Sequence, residues 1–277
     1  MRLEVAGRPT QDQFGAQVHF CQKRAKDGDL QVLAFRAIPD EHAVLGCSPI
    51  LRGARLILGY AAEHGGIELT QTKAFKRSFV AWALAEFDWP RERKDQPYAL
   101  GRALNEHDFP PLQMLHYLLI SSRLAQHHKG RFLITKKGTD LLGKPGALFD
   151  AIVPMFVLQI DHAGFSRFGE GVAGNWDIWL NVMNQILDLE PIEERVFSAF
   201  YGPIDERSHD RWRELINFRQ SVLEPLKWVG LVQFRTVANA DRPQRICRKT
   251  PLWREALVLD AIDTGWGRKP SCSCGVI

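Results

Sequence analysis

Apolar residues recur at helical spacing in two stretches between positions 55 and 86. Leu56, Ile57, Tyr60 and Ala61 would lie on one face of a helix, and a glycine pair at positions 65 and 66 follows where that helix would end. A second run after Thr70 places apolar residues at 75, 79, 82 and 83 on one side and basic residues on the other. The pattern predicts two amphipathic helices in this region.

The segment from 111 to 144 combines a helix with a hairpin. The stretch PLQMLHYLLISS follows a proline suited to a first helical turn and carries leucines 112, 115, 118 and 119 in one stripe. The next residues, RLAQHHKGRFLIT, predict two short strands around a polar turn, with a new helix after Thr135. We expect the leucine stripe to share one core with Leu133 and Ile134 of the returning strand. Helix, hairpin and helix in this order are typical of the end of a winged-helix module.

The same order returns in the last third of the chain. PIEERVFSAFYG predicts a helix, and DRWRELINFRQSVLEPLKWVG predicts another that Pro225 must bend or break before Gly230. LVQFRTV and RICRKT then alternate as two strands around the turn ANADRPQ, and a helix follows Thr250. The residue identities of the two regions differ, but their consistent order indicates an internal repeat.

Residues 146–190, between the two regions, are helical in pattern and rich in large apolar groups. Trp176, Trp179 and Met183 fall on one helical face, so we expect them to be buried between the repeats. The first 50 residues are the least informative. There QVHFCQ and LQVLAFRAI, separated by the turn-like KDGD, suggest a hairpin.

These patterns predict a fold that is mainly α with short β-hairpins, built as two winged-helix-like modules joined by a helical connector. The predicted boundaries are an N-terminal extension at 1–50, a first module at 51–145, a connector at 146–190, a second module at 191–265 and a tail at 266–277.

Composition narrows the class of protein. The 277 residues are 45% hydrophobic and 25% charged, which is ordinary for a globular protein. The longest apolar runs are shorter than the ~18 residues that a transmembrane helix needs. The first residues lack the basic-then-apolar order of a secretory signal, so a cytoplasmic location is expected. Five scattered cysteines do not form a disulfide scaffold.

Charge is distributed unevenly along the chain. The net charge is +4, but residues 120–144 carry six basic residues against one acidic residue, and residues 219–254 carry eight against two. The rest of the chain is therefore net acidic. Two basic blocks on the predicted hairpins point to an anionic partner. Solvated surface faces would account for them equally well.

The sequence contains no complete catalytic or metal-binding motif. Adjacent strand side chains point to opposite faces, so His127 and His128 are better explained as exposed turn histidines than as a metal pair. Asp161, His162 and Glu170 are expected to be polar groups at a helix end. Cys272 and Cys274 form only half of a zinc site within a tail. We therefore expect no catalytic residues, no metal and no cofactor.

Three segments resemble a family of uncharacterised bacterial proteins, some of them associated with plasmids or mobile elements. The segments are LTQTKAFKRSFV, RFLITKKGTDLL and LFDAIVPMFVLQIDHAGFSRFGEG, and the resemblance covers residues 50–190 and implies no activity. The C-terminal half resembles the generic ending of a winged-helix module through Leu226, Lys227, Gly230, Leu231 and Val232. That ending is common in DNA-binding regulators and also in protein-interaction modules.

The leading interpretation is a non-enzymatic protein that binds the phosphates of duplex DNA with basic hairpins. The helix at 111–122 has no arginine or lysine, so phosphate contacts fit it better than base reading. The predicted contact residues are Lys129, Arg131, Lys136, Lys137, Arg235, Arg242, Arg245, Arg248 and Lys249. The alternative is a protein-interaction or assembly module, including a homodimer, with Trp228 and Trp253 as exposed anchors.

Overall fold

A computed structural model describes residues 33–89, 105–165, 170–204, 209–238 and 243–259. Over these residues the protein is mainly helical, with a few short antiparallel strand pairs. The predicted fold class, mainly α with short hairpins, is confirmed. None of the helices in the described ranges is long and apolar enough to cross a membrane.

The first half of the chain alternates helices with short strands. Its strands are β1 (Leu33–Phe35), β2 (Ile67–Glu68), β3 (Ala125–His128) and β4 (Arg131–Ile134). Its α-helices are α1 (Pro49–Glu63), α2 (Arg77–Glu86), α3 (Pro110–Ser121), α4 (Lys136–Leu142) and α5 (Pro145–Gln159). Short 3-10 turns precede α1 at Ala43–Cys47 and α3 at Glu106–Asp108.

The second half continues with α6 (Trp176–Ile186), α7 (Glu193–Tyr201), α8 (His209–Phe218), α9 (Glu224–Val229), β5 (Val232–Val237), β6 (Gln244–Lys249), α10 (Pro251–Ala256) and β7 (Leu257–Leu259). Further 3-10 turns lie at His162–Phe165 and Leu187–Leu189. A π-helical turn, Arg219–Leu223, connects α8 directly to α9. Pro225 has no N–H for the usual helical bond, and the wider turn lies just before it. The predicted disturbance at this proline is therefore a π turn within a continuous helical segment.

Capping residues explain where several helices begin. Ser48 accepts a hydrogen bond from the N–H of Leu51 at the start of α1, and Pro49 occupies the first helical position. Thr135 accepts from Gly138 at the start of α4, and Thr250 accepts from Leu252 at the start of α10. Both threonines follow the returning strand of a hairpin, as the sequence predicted.

The two halves share one order of elements and one pattern of strand pairing. In the first half β2, β4 and β3 form an antiparallel sheet in that spatial order. In the second half β5 pairs with β6, and Ile192 forms a single antiparallel bridge with Ile246 of β6. The bridge residue thus occupies the place that β2 has in the first half. The repeat inferred from sequence is present as an architectural repeat.

The hydrogen bonds at the ends of the two hairpins also match. The N–H of Thr135 donates to the carbonyl of Leu124 at 3.0 Å, and the N–H of Thr250 donates to that of Leu231 at the same distance. The Thr135 hydroxyl donates to the Arg123 carbonyl, and the Thr250 hydroxyl donates to the Gly230 carbonyl. Each threonine therefore ties its hairpin to the end of the preceding helix.

The predicted core is mostly confirmed. The four leucines of the α3 stripe are fully buried, Trp179 and Met183 are buried, and Trp176 packs on the core from its edge. The expectation is confirmed for Ile134, which packs against this core, and is wrong for Leu133. Phe132 is the fully buried side chain of β4, whereas Leu133 lies on the opposite face against Gly66.

Only the second strand of the predicted N-terminal hairpin reaches into the described residues. QVHFCQ lies outside the described residues, whereas LQVLAFRAI contains β1. β1 pairs with β7 at the far end of the described chain. This pairing joins the first half to the second.

Candidate nucleic-acid interface

The first hairpin, β3 and β4 with their turn, carries exposed cations at its tip. Lys129 is exposed and has φ +47°, and Gly130 beside it has φ +72°. The turn after β2 lies next to this tip, because the N–H of Leu69 donates to the carbonyl of Gly130 at 2.9 Å. That turn presents Lys73, exposed at φ +61°. Non-glycine residues rarely adopt this left-handed conformation, and here two lysines do so at one end of the hairpin.

A second group of cations lies at the base of the same hairpin. Arg123 precedes β3 with φ +59°, and Lys136 begins α4 directly after β4. Both side chains are exposed. Lys137, also exposed, donates from its Nζ to the carbonyl of Ser122 at 3.1 Å. The predicted contact residues include Lys136 and Lys137 but neither Lys73 nor Arg123. Lys73 is more than 50 residues from the hairpin in sequence, whereas Arg123 was counted in the basic block of residues 120–144 without being assigned a contact.

Arg131, one of the predicted DNA contacts, forms hydrogen bonds within the protein. Its guanidinium donates to the carbonyls of His64 at 3.2 Å and Gly66 at 3.0 Å. These bonds connect β4 to the loop between α1 and β2. Arg131 therefore stabilises the sheet through its Nη2 atom, which donates both of these hydrogen bonds.

A buried polar chain lies beneath the tip of the first hairpin. The Glu106 carboxylate accepts from Nδ1 of His116 at 2.7 Å, and Nε2 of His116 lies 2.7 Å from Nε2 of His127. Glu106 and His116 are buried, and His127 is half-buried. Burial, then the neighbouring His116, then Lys73 lower the pKa of His127 to about 4.

This chain corrects the expectation that both turn histidines are exposed. His127 pairs with Phe132 in the sheet and faces inward, whereas His128 faces solvent. Glu106 also accepts from the backbone N–H of Phe75 at 2.5 Å, which fixes the strand edge before α2. Glu106 and His116 carry no spacing signal in the sequence that would join them to His127.

On the inner face of the second hairpin (β5 and β6), the side chains of Arg245 and Lys249 point toward the protein. Arg245 lies 3.3 Å from Glu193 and 3.4 Å from Glu224, and its side chain is 16% exposed. Glu193 is 1% exposed and also pairs with Arg219. Lys249 pairs with Asp188 at 2.9 Å and donates to the carbonyl of Asn184. Arg245 lies near the tip as expected, but the expectation that it is solvated is wrong, because its charge compensates the buried carboxylate of Glu193.

Two more of the predicted DNA-contact arginines lie on the outer face of the second hairpin. Arg235 and Arg248 have side chains that are 58% and 41% exposed, and both lie near the carboxylate of Glu190. The ninth predicted residue, Arg242, lies outside the described residues.

His162 and Glu170, which were considered as candidate acid-base residues, make structural contacts within the protein. Nε2 of His162 donates to the carbonyl of Phe156 at 2.7 Å, and burial lowers the pKa of His162 to about 4. Glu170 pairs with Arg213, on α8, rather than with His162. No group of three or more His, Cys, Asp or Glu residues in the described ranges is placed to hold a metal. Cys272 and Cys274 lie outside those ranges.

The proposed interface anchors of the alternative interpretation are covered. Trp253 is buried and donates from its indole N–H to Asn184 at 2.9 Å. Trp228 is half-buried and contacts Trp89 and Phe156, with ring centroids 5.6 and 6.4 Å apart. The prediction that these tryptophans are exposed is wrong, because Trp253 is buried and Trp228 packs between the two halves.

These features define a mainly helical protein of two similar halves, each containing an antiparallel hairpin that is followed by a short helix. The chain belongs to the y4jL family. A model described as the Y4jL N-terminal domain matches residues 46–147, and one described as the y4jL C-terminal domain matches residues 166–251. The predicted resemblance to an uncharacterised bacterial family is confirmed.

One relative is named "Uncharacterized protein y4jL" and comes from Sinorhizobium fredii (strain NBRC 101917 / NGR234). It is 35% identical over 194 residues, which cover 67% of this chain and 87% of that protein. No solved structure matches this chain.

Proposed function

We propose that the protein binds duplex DNA through phosphate contacts from its first hairpin and catalyses no reaction. Lys129 and Lys73 at the tip, with Arg123 and Lys136 at the base, are the contacts. The observation that carries the proposal is that no carboxylate of the described residues forms an ion pair with any of these four cations. Unpaired exposed cations can neutralise phosphates without first losing an internal partner.

The order of elements supports a winged-helix assignment for each half. In the first half the order is α1, β2, α2, α3, β3 and β4, and β4 lies between β2 and β3. In the second half α6, the Ile192 bridge, α7, the α8–α9 segment, β5 and β6 follow the same order. On this basis α6 would be the first helix of the second module rather than part of a connector.

Phosphate contact is favoured over base reading in the first half. α3 occupies the position of a recognition helix, but its seven buried residues face the core. Its half-exposed face presents Gln113, Tyr117 and Ile120 and no cation. Binding with little sequence preference is therefore expected.

The hairpin has the right dimensions for this role. Four residues in each strand separate the tip cations from the base cations. At ~3.3 Å per residue this is roughly 13 Å, close to the ~12 Å width of a major groove. The two groups of cations can therefore reach phosphates on either side of a groove.

The test is a salt titration of binding to a random-sequence 30-base-pair duplex, followed by fluorescence anisotropy. The double variant Lys129→Ala/Lys136→Ala should bind more weakly on all sequences. The slope of log affinity against log salt should fall by about 2, since each lost phosphate contact removes ~0.9 counterion.

The matched control removes two exposed cations elsewhere, Arg55 on α1 and Arg254 on α10. Its slope should equal that of the wild type. A wild-type protein without measurable binding, or a hairpin variant with an unchanged slope, would overturn the proposal. The protein-interaction reading would then lead. In the described part its exposed apolar contacts are Leu158, Ile178 and Leu189.

A further inference from the structure

We infer that the outer face of the second hairpin is a second phosphate-binding surface, occupied in this conformation by the chain's own Glu190. The inference rests on the proposed function for the identity of the ligand, a nucleic-acid phosphate. Arg235 and Arg248 form this surface, and the carboxylate of Glu190 competes with phosphate for the two arginines.

The strand register places both arginines on one face. Gln233 is paired with Arg248, and Arg235 is paired with Ile246. Directly paired residues share a face, and so do residues two apart on one strand. Arg235 and Arg248 are therefore diagonal neighbours on one face, whereas Arg245 and Lys249 belong to the other.

The ion pairs between Glu190 and these two arginines are long. One carboxylate oxygen lies 4.0 Å from Arg235 and the other lies 3.7 Å from Arg248, both longer than a hydrogen bond. The Glu190 side chain is 46% exposed. Exposed ion pairs of this kind contribute little and are screened by salt, so a phosphate can take the place of the carboxylate.

The backbone allows this exchange without unfolding. The carbonyl of Pro191 accepts from the N–H of Cys247, and Ile192 bridges Ile246, so the chain after Glu190 is fixed to β6. Glu190 itself has φ +46° and ψ +55°, a conformation that a glutamate adopts only at a cost. Its side chain can swing into solvent while its neighbours keep their strand contacts.

The inner face differs in kind. Glu193 is nine-tenths or more buried and is surrounded by Arg219 and Arg245. Because Glu193 is buried and Arg245 is only 16% exposed, a phosphate can replace Glu193 beside Arg245 only by entering the interior of the module. The two faces of one hairpin therefore carry structural ion pairs inside and replaceable ion pairs outside.

The experiment compares Glu190→Gln with the wild type on the same 30-base-pair duplex over a range of salt concentrations. Removal of the competing carboxylate should strengthen binding and raise the salt slope by about 1 to 2, because one or two arginines become available for phosphates. In Glu190→Gln/Arg235→Ala/Arg248→Ala the slope should return to the wild-type value. Glu41→Gln, which removes an exposed carboxylate far from both hairpins in sequence, controls for net charge and should leave the slope unchanged.

The outcomes separate this inference from the proposed function. If the wild type binds through Lys129 and Lys136 but Glu190→Gln has the wild-type affinity and slope, the inference is overturned and the proposed function stands. If the wild type fails to bind and Glu190→Gln binds, the second surface is supported and the first-hairpin proposal fails. An equal gain in Glu190→Gln and in the triple variant would also overturn the inference, because the arginines would then not be the contacts.

Discussion

Gly230 packs directly against the backbone of Cys47: a β-carbon at Gly230 would lie 2.1 Å from the Cys47 carbonyl oxygen. Gly230 has φ +90° and ends α9 in the left-handed conformation that glycine adopts without strain. The contact joins the end of a helix in the second half to the turn that precedes α1 in the first. It leaves no room for a side chain at this point between the halves.

Gly230→Ala should therefore destabilise the protein by about 2–4 kcal/mol, combining ~1–2 kcal/mol of backbone strain with the cost of overpacking. Urea unfolding followed by circular dichroism measures the change. Gly130→Ala is the matched control, because Gly130 has φ +72° but open space around it. That variant should lose only ~1 kcal/mol, and equal losses in both variants would show that the Cys47 contact is unimportant.

Leu118→Ala should destabilise by ~2–5 kcal/mol, since Leu118 is fully buried beneath the first hairpin and its truncation leaves a cavity. Leu158→Ala, at a side chain 37% exposed, should lose much less. Thermal and urea melts of the two variants give the comparison. A Leu118→Ala protein with the wild-type midpoint would contradict the position of α3 in the core.

Arg245→Ala should be strongly destabilising, by about 3–5 kcal/mol, because it leaves the buried carboxylate of Glu193 with only part of its compensating charge. Arg235→Ala, on the outer face of the same hairpin, should change stability by less than ~0.5 kcal/mol. The free energy of unfolding in urea distinguishes them. Similar small losses would mean that Arg245 is solvated, as sequence reasoning had suggested.

Stability should fall as the pH drops from 6.5 toward 4. The folded-state pKa of His162 is lowered to about 4 by burial, whereas the unfolded chain protonates near 6.5. The unfolded state therefore binds more protons in this window, so His162 contributes fully above pH 6.5 and its contribution is lost progressively below it. The pKa shift of His162 corresponds to about 3 kcal/mol of unfolding free energy. The lowered pKa of His127 changes the stability in the same direction.

Urea unfolding at several pH values between 7.5 and 4 tests this linkage. His162→Gln can retain an N–H donor toward the Phe156 carbonyl but cannot titrate, so its stability should depend less steeply on pH than that of the wild type. If the two pH profiles are parallel, His162 is not the group responsible.

Local signals in the sequence predicted the elements well. Helical spacing located the helices around residues 56–61 and 112–119, and threonines 135 and 250 marked helix starts after both hairpins. These features depend on residues near one another in the chain, so periodicity and capping chemistry report them directly. Which side chains of β4 face the core was harder to predict. Phe132, Leu133 and Ile134 are all apolar, so the sequence shows no alternation of apolar and polar residues there.

The site was only partly predictable, because its electrostatics depends on contacts between distant segments. The basic residues of both hairpins stand out in the sequence, but their acidic partners do not. Glu190 and Glu193 lie more than 40 residues before the hairpin arginines that they face. The charge count of each sequence segment was similar for the two hairpins. Among the described residues, however, Lys129 and Lys136 form no ion pair, whereas the cations of the second hairpin lie beside carboxylates.

The pairing of β1 with β7 has a consequence for fragments of the protein. Leu33 is paired with Leu259, so strands from the two ends of the described chain hold the halves together, as do the contacts of Gly230 with Cys47 and of Trp89 with Trp228. A single cut in the backbone between α5 and α6 would remove only the covalent connection. The two pieces are therefore expected to remain associated after such a cut and to behave as a complementing pair, with an affinity set by the apolar area between them.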